Sequence, residues 1–213
     1  MNNLNVTVIG KGGREAMIAG LLAKSSDVNR VFMTHRGNGG THEYGTAVDI
    51  VPDYNNSCRN FITWLQEQNI GLVVGGSETD LVQGLGDIVR THNIPFVGVG
   101  ATGARLEGDK IYSARFREQH GIPSPGFEIF DGEDFERTVQ DAKEYGSSSF
   151  AEGVPGLVPK FAGLAGGKGA IVTHSLEEYC DAIDTITKIS KGKPKITVED
   201  LVEGVEVSVT VLV

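Results

Sequence analysis

Long apolar stretches are missing from this chain of 213 residues. No window approaches the roughly 18 to 20 apolar residues of a membrane-spanning helix. The N-terminus has neither a basic segment nor a long apolar one, so the sequence predicts no signal peptide and a cytoplasmic location. Excess positive charge is missing too. A formal net charge of −9 argues against nucleic acid or an anionic membrane as the main partner, although a nucleotide needs only local positive charge.

Familiar catalytic and metal-binding patterns are also missing. The two cysteines, Cys58 and Cys180, lie far apart and match no metal or redox spacing. The five histidines show no ligand spacing, and no Ser-His-Asp or Cys-His arrangement stands out. The sequence therefore predicts no metal site within the chain and identifies no catalytic residue. Glycine, by contrast, is abundant at 29 residues.

Short apolar runs alternate with amphipathic ones over the first hundred residues, which is the pattern of βαβ units around a parallel sheet. The predicted strands are 6–9, 31–34, 47–51, 72–74 and 96–99, and the predicted helices are 14–24, 57–68 and 80–91. The first helix is predicted to carry Met17, Ile18, Leu21 and Leu22 on one apolar face. A helix over 103–120 then leaves this domain and stops at a Gly-Pro cluster, residues 121–125.

The spacing changes from residue 124 onward and predicts a small α+β unit. Its strands are 126–130, 157–161 and 170–173 and its helices 133–145 and 175–188, with a flexible connection at 147–156. After a break at 191–195, two apolar strands follow at 196–202 and 205–213, and the second places five valines on one face. Because a long apolar edge strand invites aggregation, we expect a longer evolved unit or a partner that covers this strand.

A glycine-rich loop between two apolar runs is the most informative segment. Lys160 lies on the first run, and Lys168 lies among the glycines at 163, 166, 167 and 169. Glycine lets backbone N–H groups approach an anion, and two lysines suit the oxygens of a polyphosphate. The segment is not a Walker A loop, because Gly169 follows the lysine. We favour a hairpin that closes over a nucleotide; the alternative is a plain hairpin with a solvated lysine.

Three polar loops, 10–15, 36–41 and 75–80, follow predicted strands and meet at one edge of the sheet, where ligands of open α/β sheets bind. The first opens a helix and suits a phosphate, with Arg14 beside it, or is a tight turn without a ligand. Glu15 stands where a Rossmann fingerprint needs its third glycine, which disfavours NAD and FAD. Glu199 and Glu206 interrupt apolar strands, either as solvent-facing residues or as ligands to a ribose or an amine.

Taken together, these segments resemble the glycinamide ribonucleotide synthetase (phosphoribosylamine–glycine ligase) family of ATP-grasp enzymes in purine biosynthesis. The similarity runs along the whole chain in the family's order. VIGKGGRE at 8–15 is similar to VIGxGGREH, GNGGT at 37–41 to PGNAGT, VVGGSE at 73–78 to VVGPE, and LEGDK at 106–110 to LEGSK. FAGLAGGKGAIV at 161–172 is similar to KADGLAAGKGVIV, with Lys160 as its first lysine, and VEDLVEGVE at 198–206 to IEEFLDGEE.

The resemblance implies an α/β fold in four parts. These are a preATP-grasp Rossmann-like parallel sheet at 1–102, a linker helix at 103–122, a small α+β ATP-grasp flap domain at 123–190, and the first strands of the central ATP-grasp domain at 191–213. It implies ATP-dependent ligation of glycine to phosphoribosylamine through a glycyl phosphate, with Mg²⁺. The magnesium ligands and catalytic residues are expected in a C-terminal half, which a separate chain could supply. We therefore expect this chain alone to bind ATP weakly and to turn over little or not at all.

The resemblance also assigns roles to matched positions. Residues implied to contact ATP are Lys110, Lys160, Gly166, Gly167, Lys168, Gly169, Glu199, Leu201 and Glu206. Residues implied to face the phosphoribosylamine are Gly10, Gly12, Gly13, Arg14, Glu15, Gly37, Asn38, Gly40, Thr41 and Glu78. Departures from the family pattern include Ala16 for His, Gly76 for Pro, Asp109 for Ser and Ala162 for Asp. Two alternatives stay open: a sibling carboxylate–amine ligase with another substrate, or a non-catalytic nucleotide-binding module that docks to a partner.

Overall fold

The computed structural model describes residues 4–36, 40–164, 169–190 and 195–209, with the side chains of Thr41 and His42 left aside. The chain divides into two compact units, Met1–Gly108 and Asp109–Val213. Each unit has its own sheet and its own apolar core. None of the helices within the described ranges is long and apolar enough to cross a membrane.

The first unit is built on a five-stranded parallel sheet with strand order β3-β2-β1-β4-β5. Its elements in chain order are β1 Leu4–Ile9, α1 Gly13–Leu22, β2 Val28–Met33, α2 Thr41–Tyr44, β3 Thr46–Ala47, a 3₁₀ turn Tyr54–Asn56, α3 Arg59–Glu67, β4 Ile70–Gly75, α4 Glu78–Val82, α5 Leu85–Thr91, β5 Phe96–Val97 and α6 Ala101–Gly108.

Helices cover both faces of this parallel sheet, so its central strands are buried on both sides. On one face Ile9 and Val73 pack with Phe61 and Leu65 of α3. On the other, Val6, Val8 and Val31 are among the residues that pack with Ala19 of α1. Each fully buried large apolar side chain contributes about 1.5–3 kcal/mol. This double burial explains the short apolar runs at 31–33 and 72–74 in the sequence.

Three features of the first unit differ from the sequence prediction. Helix α1 exposes Met17 and Leu21, at 69% and 66%, and turns Ala19 and Gly20 inward instead. The ring of Tyr44 lies against Gly20, where a Cβ would sit 3.3 Å from it. The helix predicted at 80–91 is two helices, since Gly84 adopts a left-handed φ of 84° between them. The strand predicted at 47–51 covers only Thr46–Ala47.

The helix predicted at 103–120 is also two helices, and the division between the two units falls between them. Asp109 has an extended backbone, with φ −138° and ψ 99°, and its side chain accepts a hydrogen bond from the Tyr112 N–H. A carboxylate in this position satisfies one of the free N–H groups of a helix start. Asp109 therefore begins a new helix, α7 Lys110–Gln119.

The second unit is built on a three-stranded antiparallel sheet with strand order β6-β8-β7. One face of the sheet packs against α8 and α9 through a core that includes Ile183, Ile196 and Val198. Tyr179 is fully buried there and donates a hydrogen bond to the Ala142 carbonyl at 2.8 Å. After α7 the elements are β6 Phe127–Phe130, α8 Phe135–Ala151, β7 Leu157–Phe161, α9 Leu176–Ile189 and β8 Ile196–Asp200.

Three elements of the second unit differ from their predictions. Helix α8 runs through 147–151, where the sequence predicted a flexible connection. The strand predicted at 170–173 is reduced to isolated bridges, Lys160 with Ala170 and Leu157 with Thr173. Residues 205–209 form no strand, and their valines are exposed, Val205 at 92%. The remaining valines of that predicted strand, at 211 and 213, lie outside the described residues.

Candidate functional site

The turn after β1 is shaped by the carboxylate of Glu15. This side chain is 7% exposed, and its Oε2 accepts the Gly12 N–H at 2.5 Å. A Cβ at Gly12 would lie 2.5 Å from Oε2, and one at Gly76 would lie 2.4 Å from the Glu15 Cγ. A side chain at either position would therefore displace the Glu15 carboxylate, and at Gly76 it would also meet the Ile9 carbonyl oxygen, 2.7 Å away. Glu15 places a negative charge at the start of α1, where the helix dipole favours an anion.

Arg14 ties this turn to the loop after β4. Its guanidinium donates to Glu15 Oε1 at 3.2 Å, to Glu78 Oε1 at 3.3 Å and to the Gly76 carbonyl at 2.7 Å. The bond to Glu15 and, less strongly, that to Glu78 raise the pKa of Arg14 against the opposing effect of burial. The structure thus brings together three of the residues expected at the substrate, from loops that are more than sixty residues apart in sequence.

The structure describes only some of the other residues expected to face the substrate. Gly10 and Gly13 lie on the same turn, and the Gly10 N–H donates to Thr34 Oγ1 at 3.1 Å. Gly40 is exposed and Thr41 begins α2. Gly37 and Asn38 lie outside the described residues.

A polar cluster at the same edge of the sheet was missed by the sequence analysis. Asp80 is 5% exposed, and Tyr54 donates to its Oδ1 at 2.5 Å. His35 Nε2 lies 3.8 Å from Asp80 Oδ2, and its Nδ1 lies 2.7 Å from Thr34 Oγ1. Burial and the bond to Asp80 raise the pKa of Tyr54, which keeps the phenol protonated. The cluster connects the segment after β2 and the 3₁₀ turn at Tyr54 to the first turn of α4.

In the second unit, two of the three lysines expected to bind ATP, Lys110 and Lys160, lie at the base of the glycine-rich loop. The Lys110 N–H donates to the Ala162 carbonyl at 2.7 Å, and Lys110 Nζ donates to the Gly163 carbonyl at 3.3 Å. Lys160 is on β7, immediately before the loop. The Phe161 N–H donates to the Gly169 carbonyl at 2.6 Å and closes the base from the other side. Gly166, Gly167 and Lys168 lie outside the described residues.

Glu199 is the negative charge of this site. Its side chain is 11% exposed, and its Oε2 lies 2.5 Å from Lys160 Nζ. Its Oε1 accepts a hydrogen bond from Arg117 of α7 at 3.2 Å. Arg117 was not predicted, because no local pattern separates it from the neighbouring Arg115. Two cations therefore share one nearly buried carboxylate.

The other positions expected at the nucleotide are further along the chain. Leu201 is half-buried, and its N–H donates to the Gly156 carbonyl at 3.2 Å. Glu206 is exposed and lies outside regular secondary structure. Across the ranges that the structure describes, no three His, Cys, Asp or Glu side chains are grouped so that they could hold a metal ion.

Solved structures with a similar fold define the class of protein. The phosphoribosylamine–glycine ligase of Thermotoga maritima matches with a TM-score of 0.65 over 94% of this chain and 44% of that one, at 23% identity. An ADP complex of N5-carboxyaminoimidazole ribonucleotide synthetase matches with a TM-score of 0.64 over 95% of this chain and 48% of that one, at 16% identity. At such low identities the likeness shows the fold alone, and that fold is the ATP-grasp fold.

Family models and curated relatives then identify the family. Residues 4–107 match the phosphoribosylglycinamide synthetase N domain, and residues 108–213 match the ATP-grasp (A) domain of the same synthetase. The chain belongs to this family of ligases. It is 34% identical to the trifunctional purine biosynthetic protein adenosine-3 of Drosophila melanogaster, over 96% of this chain and 15% of that protein. It is 32% identical to the phosphoribosylamine–glycine ligase of Rhodopirellula baltica, over 98% of this chain and 47% of the ligase. The chain thus spans half or less of these relatives.

Proposed function

We propose that this chain supplies the ATP-binding and phosphoribosylamine-binding portion of a phosphoribosylamine–glycine ligase. The observation that carries the proposal is the convergence of Lys110 and Lys160 on the base of the glycine-rich loop, with Glu199 beside them. Lysine ammonium groups beside a glycine-rich hairpin suit the oxygens of a nucleotide polyphosphate.

The reaction of the whole ligase would run in two steps. ATP would transfer its terminal phosphoryl group to the glycine carboxylate, which forms glycyl phosphate and ADP. The amine of phosphoribosylamine would then attack the acyl carbon, release phosphate and give glycinamide ribonucleotide. Lys110 and Lys160 would neutralise negative charge on the phosphoryl oxygens, which lowers the barrier to transfer. Mg²⁺ would add further charge neutralisation, and we place its ligands in the remainder of the ligase.

The edge of the parallel sheet in the first unit is our proposed site for phosphoribosylamine. Arg14 faces two carboxylates there, Glu15 and Glu78. Because Glu15 already accepts an N–H at the start of α1, we propose that this edge binds the amine and the ribose hydroxyls. The phosphate of the substrate would then bind elsewhere along the same edge.

The exposed valines after β8 support an interface with the rest of a ligase. Val205, Val207 and Val209 are 92%, 78% and 84% exposed, and they alternate as in a strand with one apolar face. We propose that the remaining half of the central domain pairs with this segment, either in the same longer protein or as a separate chain. The cytoplasmic location expected from the sequence stays a prediction.

Calorimetric titration of Mg·ATP tests the proposed nucleotide site. Wild type should bind, and Lys160→Ala should weaken binding by roughly 10- to 100-fold, since a charge-assisted hydrogen bond is worth about 1.5–3 kcal/mol. Lys188→Ala, which removes an exposed lysine of α9, is the matched control and should stay within about twofold. The proposal fails if wild type shows no binding at millimolar ATP, or if the two variants bind equally well.

A further inference from the structure

Arg117 has a buried donor that the fold leaves unused. Its side chain is 30% exposed, and one terminal nitrogen bonds Glu199, yet its Nε is buried without a hydrogen-bond partner among the described residues. An unpaired buried donor costs stability, so a guanidinium held in this way calls for an explanation. Stability of the isolated fold alone does not supply one.

A second unpaired polar atom lies on the face of the β6-β8-β7 sheet that carries Glu199. Along β8, Ile196 and Val198 point into the core with α8 and α9, so Thr197 and Glu199 point to the opposite face. Lys160 is directly opposite Thr197 in the β7–β8 pairing and therefore shares that face. Thr197 is fully buried, and its Oγ1 also lacks a partner within the described part of the chain. Unused hydrogen-bonding capacity is thus concentrated around the Lys160–Glu199 pair.

On this face of the sheet, two cationic side chains contact a single carboxylate. Lys160 holds Glu199 Oε2, and Arg117 holds Oε1. If Lys160 turned to a phosphate with no other cation present, the nearly buried Glu199 carboxylate would be left uncompensated, which is strongly unfavourable. Arg117 removes this penalty because it approaches the other oxygen of the same carboxylate.

We propose that Arg117 is a positioning residue of the nucleotide site. It retains the Glu199 carboxylate through Oε1, and Lys160 is thereby released from Oε2 to bind the nucleotide phosphates. This inference rests on the proposed ATP-binding function and assigns Arg117 a role in that same site. Arginine suits the task because its charge is permanent and its fork of donors holds a carboxylate in a fixed orientation.

Titration of Mg·ATP into Arg117 variants is the first test. Arg117→Met should weaken ATP binding about tenfold, because Lys160 must then remain with Glu199. Arg117→Lys, which keeps the charge, should recover most of the affinity. Arg115→Met, an exposed neighbour on α7, should bind like wild type. A purely structural Arg117 would lower the melting temperature without weakening ATP binding by the folded protein, and equal affinity of Arg117→Met and wild type would overturn the inference.

A double-mutant cycle on the melting temperature, measured without nucleotide, is the second test. Lys160→Met should lower the melting temperature at least about twice as much in the Arg117→Met background as in wild type, since only there does Glu199 lose its last cation. Arg117→Gln replaces Arg117→Met if the latter does not fold. If the two substitutions lower the melting temperature additively while wild type binds ATP, the role of Arg117 is overturned and the proposed function stands. Failure of wild type to bind ATP would instead overturn the proposed function, and this inference with it.

Discussion

Replacement of Gly146 by alanine tests how tightly the second unit is packed. Gly146 lies within α8 and faces the ring of Tyr179 on α9, which is fully buried. A Cβ at residue 146 would lie 2.2 Å from Cε1 of that ring. The ring has little freedom to retreat, because Phe150 packs against it and its hydroxyl is bonded to the Ala142 carbonyl.

Two opposing terms determine the expected effect. Alanine gains about 1 kcal/mol over glycine in a helix interior. Overpacking of a filled core costs about 1–3 kcal/mol, and a displaced Tyr179 hydroxyl loses a further 0.5–1.5 kcal/mol or so. We therefore expect Gly146→Ala to lower the free energy of unfolding by about 1–3 kcal/mol, although the same change stabilises an exposed helix.

Urea unfolding followed by circular dichroism provides the measurement. Ser148→Ala changes an exposed position of the same helix and should be neutral or stabilising by a few tenths of a kcal/mol or so. Tyr179→Leu should lower the free energy of unfolding less in the Gly146→Ala background than in wild type, since the smaller side chain relieves the clash. A Gly146→Ala variant as stable as wild type would refute the close packing of α8 against Tyr179 of α9.

Three further predictions concern other parts of the chain. Tyr54→Phe should lower the free energy of unfolding by about 1.5–3 kcal/mol, because the buried Asp80 carboxylate loses its phenol donor; an unchanged urea midpoint would contradict this. Asp109→Ala should cost about 1 kcal/mol through loss of the cap on the Tyr112 N–H, and Asp109→Asn should cost much less. Burial, with smaller effects of nearby carboxylates, raises the pKa of the Cys58 thiol from 9.0 to about 11. Only the unfolded thiol ionises between these values, so wild type should lose stability relative to Cys58→Ala as the pH rises from about 9 to 11, and parallel pH profiles would contradict this.

Much of the first unit could be predicted from the sequence. Strands of a parallel sheet are buried on both faces, so β4 appears as an apolar run and β1 as one interrupted by Asn5 and Thr7, each followed by a polar loop. The loops that follow parallel strands necessarily meet at one edge, which is why Arg14, Glu15 and Glu78 could be expected together. Their contacts in the structure agree with that expectation, whereas their roles with a substrate stay predictions.

The features that the sequence did not reveal depend on packing between distant elements. Gly146 and the serines after it resemble a helix breaker, yet the glycine is required by the ring of Tyr179, which is thirty-three positions further along the chain. Arg117 looks like any solvated arginine of α7 until β8 brings Glu199 within 3.2 Å. Asp80 likewise shows its importance only when Tyr54 and His35 reach it from other loops.

Hydrogen–deuterium exchange with and without Mg·ATP would locate the nucleotide on the chain as well as detect its binding. We expect slower amide exchange in peptides that cover 157–163 and 196–201, around Lys160 and Glu199. Exchange in α3 and β4 of the first unit should not change. Protection confined to the first unit, or no protection anywhere at saturating ATP, would contradict the assignment of the nucleotide site to this face of the sheet.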